Sequence, residues 1–214
     1  IFIVLLISLM LLTMHIGYSK EVKGNLSDKV IIIDPGHGGK DAGTSVDDIL
    51  EKDINLSISL LLKNKLEELG VSVIMTRDGD YDLSSPDIDR RKKSDFDNRI
   101  NLINNSGADL YLSIHINYLD DSRVYGAQVF YTKDNEELAS IMQNEFKKNL
   151  NTPLDYKKIN NSIYMYKKLE IAGLLIECGF LGNASDRKLL MNNNYREKLV
   201  NSIINAIIKY YQIG

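Results

Sequence analysis

Cysteine is all but missing from this sequence of 214 residues. Cys178 stands alone, so no intrachain disulfide can form, and stability must come from the core or from a metal. Histidine is almost as scarce, with three in the whole chain, which makes each position informative. A basic excess is lacking too: the formal net charge is −3, which argues against nucleic acid as a partner. The sequence holds no internal repeat and no low-complexity segment. What it does hold is ordinary for a compact protein, since 44% hydrophobic and 26% charged residues exclude wholesale disorder. The length suits one domain with a substantial core and would cramp a second.

The first residues differ from the rest. Ile1 to Leu12 is almost wholly apolar, the run loosens through Thr13, His15 and Gly17, and charge begins only at Lys20. This is the pattern of a secretory signal core. Gly17 and Ser19 put small residues where a signal peptidase reads, so cleavage before Lys20 is expected, leaving residues 20–214 as the working domain. A basic leader and an initiating Met are expected to precede Ile1. An uncleaved anchor would need about 20 apolar residues, which this run reaches only if His15 and Gly17 are tolerated. Either way the domain is expected outside the cytoplasm.

Periodicity then lays out alternating strands and helices. Ser27 to Ile33 is a β-branched strand, stopped by Asp34-Pro35-Gly36. From Glu51 to Leu69 apolar residues recur at Ile54, Ile58, Leu61, Leu62, Leu66 and Leu69, near a 3.6 period, with Gly70 as the stop. Val71 to Thr76 is the next strand, and strand, helix, strand at this spacing is a βαβ unit with parallel pairing. Asp87 to Asn105 reads as a helix whose basic cluster, Arg90 to Lys93, is a solvated face largely cancelled by nearby aspartates. Ala108 to Asn117, Gly126 to Thr132 and Gly173 to Phe180 are further strands, with Ile163 to Tyr166 as a short one. Glu136 to Leu150, Asp186 to Met191 and Tyr195 to Tyr211 are helices.

Chemistry collects at the carboxyl ends of the strands, where open α/β sheets bind ligands. His37 follows the first strand between glycines, and His115 lies in SIHIN. Each has an ordinary role open to it alone, a turn contact for His37 and a carbonyl-satisfied core position for His115. Together, at one sheet edge, they can supply two nitrogen ligands to zinc, which then needs a carboxylate and an open water position for catalysis. Glu51 opens the first helix just beyond the His37 turn. Its alternative use is helix-dipole stabilisation, worth about 0.3–1 kcal/mol. Glu177 interrupts Leu174, Leu175 and Ile176 in the last strand, and an unpaired buried carboxylate costs several kcal/mol or takes up a proton. Alternation points Cys178 to the other face, as an inert core residue, and puts Asn117 on the face of His115.

These residues together resemble the zinc-dependent N-acetylmuramoyl-L-alanine amidases of the amidase type 3 family. The likeness rests on DPGHGGKDAG at 34–43, EKDINL at 51–56, TRDGD at 76–80, ADLYLSIHIN at 108–117 and IECGFLGN at 176–183, in the family's order. It implies a single α/β domain, a mostly parallel sheet of about six strands with helices on both faces. It also implies one Zn²⁺ per chain on His37, Glu51 and His115, with Glu177 as the catalytic glutamate. On this reading Gly38 and Gly39 clear space for a bulky glycopeptide and Asn117 stands beside it. Ile116, Gly182 and the residues before Glu51 depart from the common pattern, which bears on substrate fit and not on the reaction class. The short form without wall-binding repeats, and with no inserted helix over the cleft, is similar to the spore-cortex amidases of endospore-forming bacteria, which strip stem peptides so that muramic-δ-lactam can form. The implied reaction is hydrolysis of the bond between the lactyl group of N-acetylmuramic acid and L-alanine, with Glu177 taking a proton from water and returning it to the departing amine. With only three protein ligands and Glu51 riding on a loop junction, the site is expected to bind zinc weakly, so that the substrate or an accessory or regulatory protein partner completes it. The competing readings are a zinc peptidase cutting within the stem peptide and a wall-binding or regulatory module without turnover.

Overall fold

The structure, a computed structural model, describes residues 26–85, 89–132, 135–159 and 163–213; the signal-like segment lies outside the described residues. Strands β1 (Val30–Pro35), β4 (Ser72–Met75), β5 (Leu110–Asn117), β6 (Gln128–Tyr131), β7 (Lys157–Lys158) and β8 (Gly173–Phe180) form one sheet in the order β4-β1-β5-β8-β6-β7. The first four strands in that order run parallel, and β6 turns antiparallel against β8. A two-stranded hairpin, β2 (Ser45–Val46) with β3 (Ile49–Leu50), stands apart. The exposed Lys157 and Lys158 charge one edge of the sheet and discourage further pairing there.

Two cores follow from strand alternation. Ile31, Ile33, Leu112 and Ile114 pack with α1 (Glu51–Glu68), α3 (Glu136–Leu150) and α6 (Asn193–Ile213) on one face. Ile32 and Tyr111 point the other way, onto α2 (Arg91–Asn104) and the short α4 (Tyr164–Lys168). A strand buried on both faces needs a continuous apolar run, which Ile31 to Ile33 provides. Each such side chain fully buried is worth about 1.5–3 kcal/mol. The last helix before it, α5 (Ala184–Leu190), is capped by the Asn183 side chain, which accepts from the Ser185 and Asp186 amides. None of the helices among the described residues is long and apolar enough to cross a membrane.

Several expectations need revision. Ile163 to Tyr166 is not a strand: Ile163 caps α4, a single helical turn. Four apolar and aromatic residues do not distinguish the two conformations by periodicity. The helix expected from Asp87 begins at Arg91. The polar stretch before Glu51 contains the β2–β3 hairpin, which delivers the chain directly into α1. Gly70 ends α1 as expected, with φ +85°, its amide and that of Val71 bonding back to Glu67 and Leu66.

Candidate metal and active site

His37 enters the site from the loop after β1, Glu51 from the first turn of α1 and His115 from the carboxyl end of β5. Their ligand atoms all lie within 4.8 Å of one another. The meeting point is Glu51 Oε1, which stands 2.9 Å from His115 Nδ1 and 3.2 Å from His37 Nε2. It also accepts from the Ile116 amide, while Oε2 accepts from the Thr44 amide at 2.9 Å. Only 3% of the Glu51 side chain is exposed. Burial disfavours its charge, but the hydrogen bonds to His115 and His37 outweigh that and hold it well below the usual carboxylate range. Burial likewise works against a charged His37, yet Asp41 and Glu51 raise its pKa to about 9.

The donor set fits a small cation. Ligand atoms about 2.0–2.1 Å from a tetrahedral zinc stand roughly 3.3–3.4 Å apart, close to the spacings around Glu51 Oε1. The second nitrogen of His37 is also engaged, since Nδ1 lies 3.1 Å from Asp41 Oδ2. A carboxylate behind a ligating imidazole fixes its tautomer and orientation. Asp41 was not singled out by sequence reasoning; its signal was a carboxylate four residues after His37, reached through glycines that let the loop return.

His37 itself has φ +62°, an uncommon backbone state that histidine adopts more readily than most residues. Two buried arginines hold the loop in it. Arg99 donates to the carbonyls of Pro35 and His37 and to the Asp34 carboxylate at 2.7 Å. Arg77 donates to the carbonyls of Pro35, Gly36 and Lys52. Asp34 also accepts from Thr76, Tyr111 and Ser113. Burial would raise its pKa, but the Arg99 charge and these donors lower it. Sequence reasoning missed both arginines. Arg99 shares the buried stripe of Phe96, Ile100 and Ile103, and a cation on such a stripe calls for a partner.

Glu177 lies on β8 in register with His115 on β5, and parallel neighbours in register share a face. Its Oε2 is buried with no hydrogen-bond partner. Burial pushes its pKa up to about 7, the His115 charge opposing and the Glu51 charge adding. Such a group is poised to take and return a proton near neutral pH. Cys178, fully buried on the opposite face, has its thiol pushed up by burial and is inert.

The glycines divide into two pairs. A side chain at Gly36 would strike the His115 ring at 2.2 Å, and one at Gly43 would strike Glu51 Oε2 and His37 at 2.6 Å. These two make room for the cluster. Gly38 and Gly39, expected to open space for substrate, are instead covered by the Tyr81–Asp82 backbone, with φ +134° and +54°. Asn117 accepts from the Tyr118 amide through its side chain, closing the strand end. A cavity of about 170 Å³ adjoins the cluster, with His37, Asp41, His115, Phe96 and Tyr166 in its walls and neither Gly38, Gly39 nor Asn117 among them. A larger one, about 520 Å³, opens between α1, α3 and α6 beside Lys65, Lys148 and Asn205. Among the described residues it holds no cluster of metal ligands and no orphaned base.

Two imidazoles and a carboxylate converging at the carboxyl edge of a parallel sheet, beside a carboxyl of raised pKa, describe a hydrolase-like site able to hold a cation. The particular family follows from comparison. The chain belongs to the N-acetylmuramoyl-L-alanine amidase family Amidase_3, whose profile matches residues 31–209, and it is an enzyme of that class. It is 41% identical over 193 residues to the germination-specific N-acetylmuramoyl-L-alanine amidase of Bacillus subtilis, covering 87% of this chain and 81% of that one. The solved CwlD amidase from Clostridioides difficile, in complex with the GerS lipoprotein, superposes with a TM-score of 0.82 at 38% identity, covering 87% of this chain and 100% of that one. AmiC2 of Nostoc punctiforme superposes with a TM-score of 0.74 at 28% identity, covering 86% and 97%.

Proposed function

We propose that this amidase depends on zinc, that His37, Glu51 and His115 hold the ion, and that Glu177 moves the proton in hydrolysis of the muramoyl–L-alanine bond. The observation that carries this reading is the convergence of both imidazoles on Glu51 Oε1, at 2.9 and 3.2 Å, beside Glu177, whose Oε2 is buried without a hydrogen-bond partner. When bound there, zinc supplies a Lewis acid and lowers the pKa of a bound water to about 7. Glu177 accepts the proton of the attacking water and passes it to the amine of the departing L-alanine. Asp41 keeps the His37 ring aimed at the centre, and the Arg77–Arg99 cradle keeps the loop beneath it rigid.

The germination-specific name of the Bacillus subtilis relative supports spore cortex as the substrate, where loss of the stem peptide lets muramic-δ-lactam form. The pairing of CwlD with a lipoprotein supports an accessory protein partner here. Export through residues 1–19 belongs to the same proposal, since peptidoglycan lies outside the cytoplasm.

The test is metal analysis joined to product analysis. Glu177→Ala retains zinc and loses hydrolysis, whereas His115→Ala loses both; full zinc in the His115 variant would refute the ligand set. Mass spectrometry of digested peptidoglycan should show free muramyl carboxylates and peptides beginning at L-alanine. Cleavage inside the stem peptide would establish the peptidase reading instead.

A further inference from the structure

β8 pairs regularly with β5 only as far as Glu177. On β5 two steps lead from His115 to Asn117, whereas on β8 three steps separate their partners, Glu177 and Phe180. The extra residue makes a β-bulge at Cys178-Gly179, and bulges beside active sites re-aim a side chain. Glu177 is thus the last residue of β8 in register before the bulge, with His115 facing it on β5 and Gln128 on β6. Were the extra residue taken up before Glu177 instead, Cys178 would stand opposite His115 and Glu177 would turn to the other face of the sheet.

Asp186, in the first turn of α5, holds the far side of the bulge. Its Oδ2 accepts from the Phe180 amide at 2.9 Å and from the Gly126 amide at 2.8 Å, so one oxygen joins the end of β8 to the segment that leads into β6. Asp186 is buried, and burial pushes its pKa up while the two amides oppose. A carboxylate at the third position of a helix ordinarily reaches back to the amide of the capping residue. Here that amide, of Asn183, bonds the Phe180 carbonyl at 3.1 Å, and Asp186 turns to the bulge instead. Gly179 leaves it room, since a side chain there would come within 3.2 Å of the same oxygen.

We infer that Asp186 is a positioning residue for the hydrolysis: by clamping the Phe180 and Gly126 amides it fixes the bulge after Glu177 and so keeps the Glu177 carboxyl on the face of His115. The inference rests on the reading of Glu177 as the base. Asp186 bonds none of the candidate ligands and has no place in the wall of the cavity beside the histidines. It acts through the backbone, so its loss lowers kcat and leaves KM and bound zinc alone.

Asp186→Ala and Asp186→Asn are compared with wild type and with Phe146→Leu, which thins the fully buried core on α3 and reports what lost stability alone does. Below its melting transition the zinc-loaded Ala variant loses about 100-fold in kcat on N-acetylmuramoyl-L-alanyl-D-isoglutamine, the size a slightly misplaced group delivers, with KM and bound zinc as in wild type. The Asn variant keeps an oxygen able to accept from both amides and recovers most of that loss. A second readout needs no turnover. Cys178 is the sole cysteine and fully buried, and a loosened bulge opens it locally, so iodoacetamide alkylates it about tenfold faster in the metal-free Ala variant than in Phe146→Leu. Should the Ala variant fail to fold, Asp186→Glu, which keeps the charge and displaces the oxygens by one methylene, shows both changes in smaller measure and is judged the same way. Wild-type kcat without the clamp, alkylation no faster than in Phe146→Leu, or an Asn variant no better than the Ala variant overturns the inference. Wild-type turnover by Glu177→Ala would sink the reading of Glu177 as the base, while faster alkylation of Cys178 would still uphold the clamp.

Discussion

Glu51 divides its two oxygens between structure and chemistry. Oε2 ties the helix start to Thr44, and Oε1 gathers both imidazoles. Asp41 acts one step further out, so Asp41→Asn should leave the fold intact and weaken zinc binding by about 10–100-fold, read by competition with a chromophoric chelator. Asp34 is the opposite case, a carboxylate whose loss would leave Arg99 with Asp95 as its remaining buried anion. Asp34→Asn should therefore cost about 3–5 kcal/mol in denaturant unfolding. Its folded pKa lies below the unfolded one, so its contribution is fully present above the unfolded value of about 3.9 and fades as pH falls through the folded value. The variant should lack that part of the acid-dependent loss. The two histidines of the candidate cluster and Glu177 were legible in the sequence because their types are rare or misplaced: two histidines outside the leader, and a charge inside an apolar strand. Arg77 and Arg99 were not, because their partners are carbonyls of a loop 41 and 64 residues away in the chain.

Among the elements, the glycine loop after β1 changes meaning most. Gly38→Ala must place a methyl against the Tyr81 carbonyl at 2.3 Å from a backbone at φ +134°, so it should cost stability, about 1–3 kcal/mol, before it affects substrate. Gly36→Ala should do the reverse, displacing the His115 ring and emptying the metal site in a protein that still folds. Melting curves with and without zinc separate the two: the Gly38 variant starts lower, whereas the Gly36 variant loses its response to zinc. Periodicity revealed α1 and α3 because each is long and packs one repeating face, and β5 stood out as a long run of mostly apolar residues buried on both faces. It failed at α4 and at the β2–β3 hairpin, pieces of two to five residues whose conformation is set by what they pack against.

For the whole molecule, the candidate ligands come from a loop, a helix start and a strand end, so a bound ion stitches β1, α1 and β5 together. Zinc at 100 times its dissociation constant should stabilise the protein by about 2.7 kcal/mol, and a chelator should remove that gain. In the metal-free protein His37 holds its proton up to about pH 9, so binding at neutral pH must expel it. Affinity should therefore rise from pH 6 to pH 8, and calorimetry in buffers of different ionisation enthalpy should register proton release. The parallel sheet was legible from the βαβ order, whereas the reversal at β6 was not, since strand direction is written in the connections rather than in the strands.

β8 is the last strand made, yet it sits in the interior of the sheet, between β5 and β6. A chain halted before Gly173 would already carry His37, Glu51 and His115 and would still lack Glu177, with β5 and β6 left unpaired along facing edges. The candidate ligands and the proposed base are thus separated in the order of synthesis. Pairing of β8 between β5 and β6 is therefore the step that brings Glu177 beside His115 and completes the candidate site.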